Sequence, residues 1–157
     1  MIKELQKKEG FVMLFAVTIS AILLTIALGI TSIALKEIKF STNARYTNDA
    51  FFAADTGIEC AFMNDKSSST IFISSPSGTM SCAGNNVLVT KNNLSSIWTF
   101  TITNLGSQSQ SCANVTVDKS TPNTVVIISN GHNDNLNSIC TLGPNTVERQ
   151  IKSTYGV

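Results

Sequence analysis

Histidine occurs once in this chain, at His132, and no cysteine pair stands in a CxxC arrangement. A Ser or Cys nucleophile needs a base within hydrogen-bond reach, and a metal site needs ligands at close spacing. The sequence meets neither requirement. His132 falls in Asn130-Gly131-His132-Asn133, which reads as a surface turn with a satisfied histidine. Beyond residue 62 the only acidic residues are Asp65, Asp118, Asp134 and Glu148, with no close pair for acid–base work. Asn133-Asp134-Asn135 has oxygens that suit Ca²⁺, but with one carboxylate a polar loop is the better reading. The nine glycines are scattered, which excludes a phosphate loop. A net charge of +1 gives no electrostatic case for nucleic acid, and Lys91 with Trp98 is too little for a basic, aromatic binding face. The composition therefore predicts no enzyme, cofactor, metal or nucleic-acid partner.

What the chain does have is an uncharged run of 25 residues, 11–35, FVMLFAVTISAILLTIALGITSIAL. As a helix it would be roughly 37 Å long, enough for a hydrocarbon core of about 30 Å. Thr18, Ser20, Thr25, Thr31 and Ser32 interrupt it. Such residues can bond to their own helix backbone, and small ones let helices approach closely. Around Gly29 the helix propensity drops, so any local melting would rest on that glycine. Before the run stands a short polar leader, residues 1–10, with Lys3, Lys7 and Lys8 against Glu4 and Glu9. Its lysines predict a cytoplasmic leader and an exported C-terminus. A secretory signal has a shorter apolar core followed by a cleavage site. A signal anchor fits better, and so does cleavage between Gly10 and Phe11, ahead of the run.

Residues 36–62 continue as a helix with no proline to break it. Phe40, Ala44, Thr47, Phe51, Ala54, Ile58 and Ala61 follow in steps of 4 and 3, a seam suited to packing along one face. Lys39, Asn43, Asn48, Asp55 and Glu59 make the polar side. From residue 63 the period changes to two. Residues 64–69 and 75–78 read as loop and turn. Strands are expected at 71–74, 87–90, 96–103, 113–119, 124–129 and 145–153, with a turn at Asn130-Gly131. In 96–103, Trp98, Phe100 and Ile102 alternate with Thr99, Thr101 and Thr103, which predicts a sheet covered on one side. The fold class is thus α+β: a long N-terminal transmembrane and amphipathic helix packed on an antiparallel sheet of about four to six strands.

All four cysteines, Cys60, Cys82, Cys112 and Cys140, follow the apolar run. An even count downstream of a membrane segment predicts two disulfides in an oxidising compartment. Three pairings are open. Cys60–Cys82 with Cys112–Cys140 is preferred because each closes a short loop. Asn93-Leu94-Ser95 and Asn114-Val115-Thr116 fit the glycosylation sequon, a short motif that matches often by chance.

A lysine-bearing leader ending in Gly10, then Phe11 and an unbroken apolar stretch, resembles a type IV prepilin. Residues 50–62, AFFAADTGIECAF, resemble the block that closes the same helix in PilX-like minor pilins. The likeness covers residues 1–62 well and the rest loosely. It implies a pilin-like organisation: leader 1–10, filament-core helix 11–35, amphipathic helix 36–62 and an extracytoplasmic β-rich head domain 63–157. It also implies that prepilin peptidase cuts after Gly10 and methylates Phe11. The partners would be the membrane, that peptidase and other pilin subunits. The place would be the cytoplasmic membrane and then a cell-surface filament. One departure stands out. Type IV pilins usually carry Glu at the fifth mature position, and this chain has Phe15. PilX-like minor pilins lack it too, so the departure points away from a major subunit. The other class of function open to this sequence is a signal-anchored binding domain that does not polymerise.

Overall fold

The structure is a computed structural model. It describes residues 3–73, 77–93, 95–134, 140–141, 143–144 and 146–156, and for residues 3–10 the backbone only. One helix, α1 (Lys3–Lys66), is followed by six strands: β1 (Ser77–Cys82), β2 (Asn85–Lys91), β3 (Ile97–Leu105), β4 (Ser111–Asp118), β5 (Thr124–His132) and β6 (Glu148–Gly156). The chain forms two compact units, Met1–Asn43 and Ala44–Val157. In the first unit the described chain is helix throughout, including Gly29 to Ser32.

In the second unit the strands form one antiparallel sheet in sequence order, β1-β2-β3-β4-β5-β6. Each strand pairs with the next, so short turns suffice. Ala83 and Gly84, at φ 49° and 78°, make the two-residue connection between Cys82 and Asn85. Two positive φ values match the twist of the hairpin strands. One sheet face is apolar: Val89, Trp98, Phe100, Ile102, Val115, Val117 and Ile127 are buried there. The alternation expected in β3 holds, with Trp98, Phe100 and Ile102 inward and Thr99 and Thr101 exposed.

The helix covers that face through small residues. Ala50, Ala53, Ala54, Gly57 and Ala61 are buried, and Ile58 and Cys60 pack partly buried beside the core. This corrects the predicted seam. Ala54, Ile58 and Ala61 belong to the contact, but Phe51 is 46% exposed and Ala44 is exposed. Phe40, in the first unit, is 78% exposed. Relative to that seam, the buried stripe is centred about 70° round the helix, and the two share Ala54 and Ala61. The reason is distance. A Cβ on Gly131 would collide with the Ala50 carbonyl oxygen and the Ala54 amide nitrogen, and one on Gly57 would meet the Ser129 hydroxyl. At so close a crossing only Ala and Gly fit, and a phenylalanine is pushed to the flank.

Further boundaries differ from expectation. The last strand, expected at 145–153, runs Glu148–Gly156, and residue 145 lies outside the described residues. Residues 64–66 are helical rather than loop. The Asp65 carboxylate is held by the Lys119 ammonium and by the Tyr155 hydroxyl, which donates at 2.8 Å. Lys66 lies 4.6 Å from the Tyr155 ring centroid and 5.8 Å from that of Phe62. These contacts carry the helix one turn further. Residues 71–73 form bend and turn rather than strand, and residue 74 lies outside the described residues. Phe72 instead plugs the core edge, its ring 6.0 Å from that of Trp98 and 6.4 Å from that of Phe100. The first strand begins where a turn was expected, at Ser77. Asn130 and Gly131 lie within β5, paired with Asn114 and Ala113 on one side and Gln150 and Arg149 on the other.

Candidate functional site

The side chains that ask most for a partner are those of the apolar half of α1. Every described residue from Phe11 to Ser41 is exposed. From Phe11 to Leu35, fifteen large apolar side chains are at least 40% exposed, among them Phe11 at 70% and Phe15 at 56%. At about 2 kcal/mol per side chain, covering them is worth on the order of 30 kcal/mol, so this surface demands an apolar surrounding. The helix is long and apolar enough to cross a membrane.

The hydroxyls within it are turned back on their own backbone. Thr18 donates to the Phe15 carbonyl at 2.8 Å and Ser20 to Ala16 at 2.6 Å. Thr25 donates to Ile22 at 2.8 Å and Thr31 to Ala27 at 2.9 Å. Each bond removes a polar group that hydrocarbon would penalise. A Cβ on Gly29 would meet nothing within 4 Å, so this position faces open space. Gly10 and Phe11 lie inside the continuous helix, with no distortion of secondary structure marking the junction.

The second unit is held by two disulfides. Cys60 joins α1 to Cys82 of β1, and Cys112 of β4 joins Cys140 in the β5–β6 connection, each with a Cα–Cα distance of 5.7 Å. The second bridge lies on the sheet face opposite the helix. There the Asn114 amide donates to the Cys140 carbonyl at 2.8 Å, and the Val147 amide donates to Asn133 Oδ1 at 2.6 Å. Asn114 is half-buried, and its amide is engaged at both ends, since Oδ1 also accepts from the Thr101 hydroxyl at 2.8 Å.

His132 is not on the surface. It is 3% exposed on β5, its Nδ1 has no hydrogen-bond partner among the described residues, and its Nε2 stands 3.8 Å from Glu148 Oε2. The Ser129 hydroxyl is also buried, beside Gly57, with no hydrogen-bond partner among the described residues. Along β5, Ser129 shares the inner face with Gly131 while His132 lies on the outer one, so the two cannot form a nucleophile and base. No group of three or more His, Cys, Asp or Glu side chains gathers among the described residues.

Sequence reasoning missed the cluster at the end of α1. Asp65 has a side chain only 3% exposed, yet it read as a loop residue. Burial, then the hydrogen bond to Asp65, then that carboxylate's charge push the Tyr155 phenol well above the usual tyrosine range. At the β4–β5 turn, hydrogen bonds from the Ser120 hydroxyl and amide hold the Asp118 carboxyl below its usual value. Nothing local in the sequence marks Asp65, Lys119 and Tyr155 as neighbours. No family model, curated protein or solved structure matches this chain.

Proposed function

We propose that this chain is a structural subunit, a minor pilin-like protein of a type IV pilus or of a related secretion or uptake filament. The observation that carries the reading is the exposed, uncharged apolar stretch of α1 in a chain whose other unit is small and doubly disulfide-bonded. The mechanism is assembly rather than catalysis. Prepilin peptidase removes residues 1–10 after Gly10 and methylates the Phe11 amine. The helix then waits in the cytoplasmic membrane with the head outside. It later moves into a filament core where helices of other pilin subunits replace lipid. Exchange between two apolar surroundings costs little per residue, which makes extrusion by an outside motor feasible. Phe15 stands where most pilins place a carboxylate. A subunit without that charge suits a position where no amine from above needs pairing.

The test is intact-mass spectrometry of the protein purified from membranes of cells that make a prepilin peptidase. The expected product begins at Phe11 and carries one added methyl group. A product that retains Met1 and the leader would overturn the processing step and leave a signal-anchored domain.

A further inference from the structure

At one end of the sheet a cleft of about 150 Å³ opens within the second unit. Arg45, Tyr46 and Asp49 of α1 form one wall, the β3–β4 loop forms the other, and Asn133 closes the end. The loop wall is held in an unusual backbone shape. The β3–β4 register shifts between Ile102 and Leu105, and Asn104, Gly106 and Ser109 have φ of 59°, 78° and 54°. For Ser109 that conformation costs about 1 kcal/mol, while Asn104 adopts it more readily. Strain and bulges of this kind gather at ligand sites. The floor is firm, with Leu105 and Ser111 buried.

The wall's polar groups are unspent. The Tyr46 hydroxyl and the Gln108 and Gln110 amides make no side-chain hydrogen bond among the described residues. Two primary amides supply four donors and two acceptors in fixed planes. Charge narrows the ligand. Arg45 and Asp49 face each other at 3.9 Å, so the cleft offers neither sign alone. A phosphate or carboxylate would meet Asp49, and an amine would meet Arg45. Gln108 and Gln110 are exposed, so an apolar ligand would leave their amides to water and gain nothing from them. The size matches a single six-membered ring, since an apolar cavity of about 150 Å³ accepts benzene.

We propose that this cleft binds one neutral, hydroxyl-rich ring, the terminal sugar of a glycan. Adjacent ring hydroxyls, each donor and acceptor, pair with the Gln108 and Gln110 amides. The Tyr46 ring, 38% exposed, offers a flat surface to the C–H face of the sugar. The assignment does not depend on filament assembly, because an anchored monomer would carry the same cleft.

The test uses the full chain in a detergent without sugar headgroups. Side-chain amide NMR signals of Gln108 and Gln110 are followed while methyl α-glucoside, methyl α-mannoside, methyl β-galactoside and N-acetylglucosamine are added separately. Sodium phosphate and sodium acetate are the charged controls. A saturable shift is expected with at least one sugar, with a dissociation constant of about 1 mM. Gln108→Ala with Gln110→Ala should weaken it at least tenfold. Gln108→Glu, which keeps the shape and loses the donors, should weaken it in a chain whose spectrum is otherwise unchanged. No saturable shift with any of the four sugars would overturn the proposal. So would a shift with phosphate or acetate alone, or undiminished binding in Gln108→Glu.

Discussion

At Gly131 the backbone of α1 lies directly on β5, and the nearest Cα, that of Ala54, would be 2.9 Å from an added Cβ. Gly131→Ala must therefore move a helix rather than a side chain. We expect it to destabilise the head by about 3 kcal/mol, near the upper end for an added methyl group. A urea melt of the purified chain checks this, and an unchanged midpoint would contradict the close crossing. Tyr155 predicts a pH effect. Its phenol is held protonated in the fold, so its pKa is higher folded than unfolded. The stabilisation is complete below the ordinary tyrosine value of about 10 and is lost as pH rises beyond it. Tyr155→Phe should cost about 1 kcal/mol at neutral pH, through the lost bond to Asp65. It should also flatten the alkaline decline. Urea midpoints measured from pH 8 to 11 read both effects, and an identical alkaline slope in the variant would refute the second. Little of this was visible in the residues alone. Gly131 beside Asn130 has the look of a turn, and only the helix lying over it explains the missing side chain.

Among the elements, α1 was the most legible and its working face the least. A helix free of proline with 25 uncharged residues reads directly from local chemistry. Which side meets the sheet depends on how near the sheet comes. Phe51 and Ala54 have equal claim to an apolar seam, but only Ala54 is small enough for the crossing. The strands show the same division. Alternation in β3 was plain because Trp98, Phe100 and Ile102 are bulky. β1, with the sequence SGTMSC, was hidden because its pattern is nearly all polar. It is a strand because β2 pairs with it from Ser77 to Cys82 and Cys82 is bonded to Cys60. The apolar half of α1 carries its own test. Leu23→Lys places a charge near the middle of the run and should make insertion about 3 kcal/mol less favourable. The carbonate-resistant membrane fraction should fall. If it is unaffected, the run does not lie across the bilayer.

For the whole molecule, the two bridges divide the work. Cys60–Cys82 ties the helix to the first edge of the sheet, and Cys112–Cys140 fastens the β5–β6 connection to the outer face. The bridges close loops of 22 and 28 residues, and in the chain-entropy account each contributes about 3 kcal/mol. Cys60→Ser with Cys82→Ser should lower the melting temperature of the head without altering cleavage after Gly10. Unchanged melting would show that the helix is held by packing alone. That outcome would leave the pilin-like proposal intact, since the processing and membrane retention it proposes would rest on residues 1–35.

The amino-acid sequence by itself determined the uncharged helix, the change to period two after residue 63 and the even set of cysteines. Each is a local property, set by backbone preference and side-chain polarity within a few residues. The tertiary structure alone decided the face that α1 presents to the sheet, its extension to Lys66, the strand at Ser77 and the burial of His132. These depend on groups far apart in the chain: Gly131 under Ala50, Tyr155 against Asp65, Cys112 bonded to Cys140. Such contacts are settled by the distance between packed surfaces, and no short window of sequence contains both sides of one.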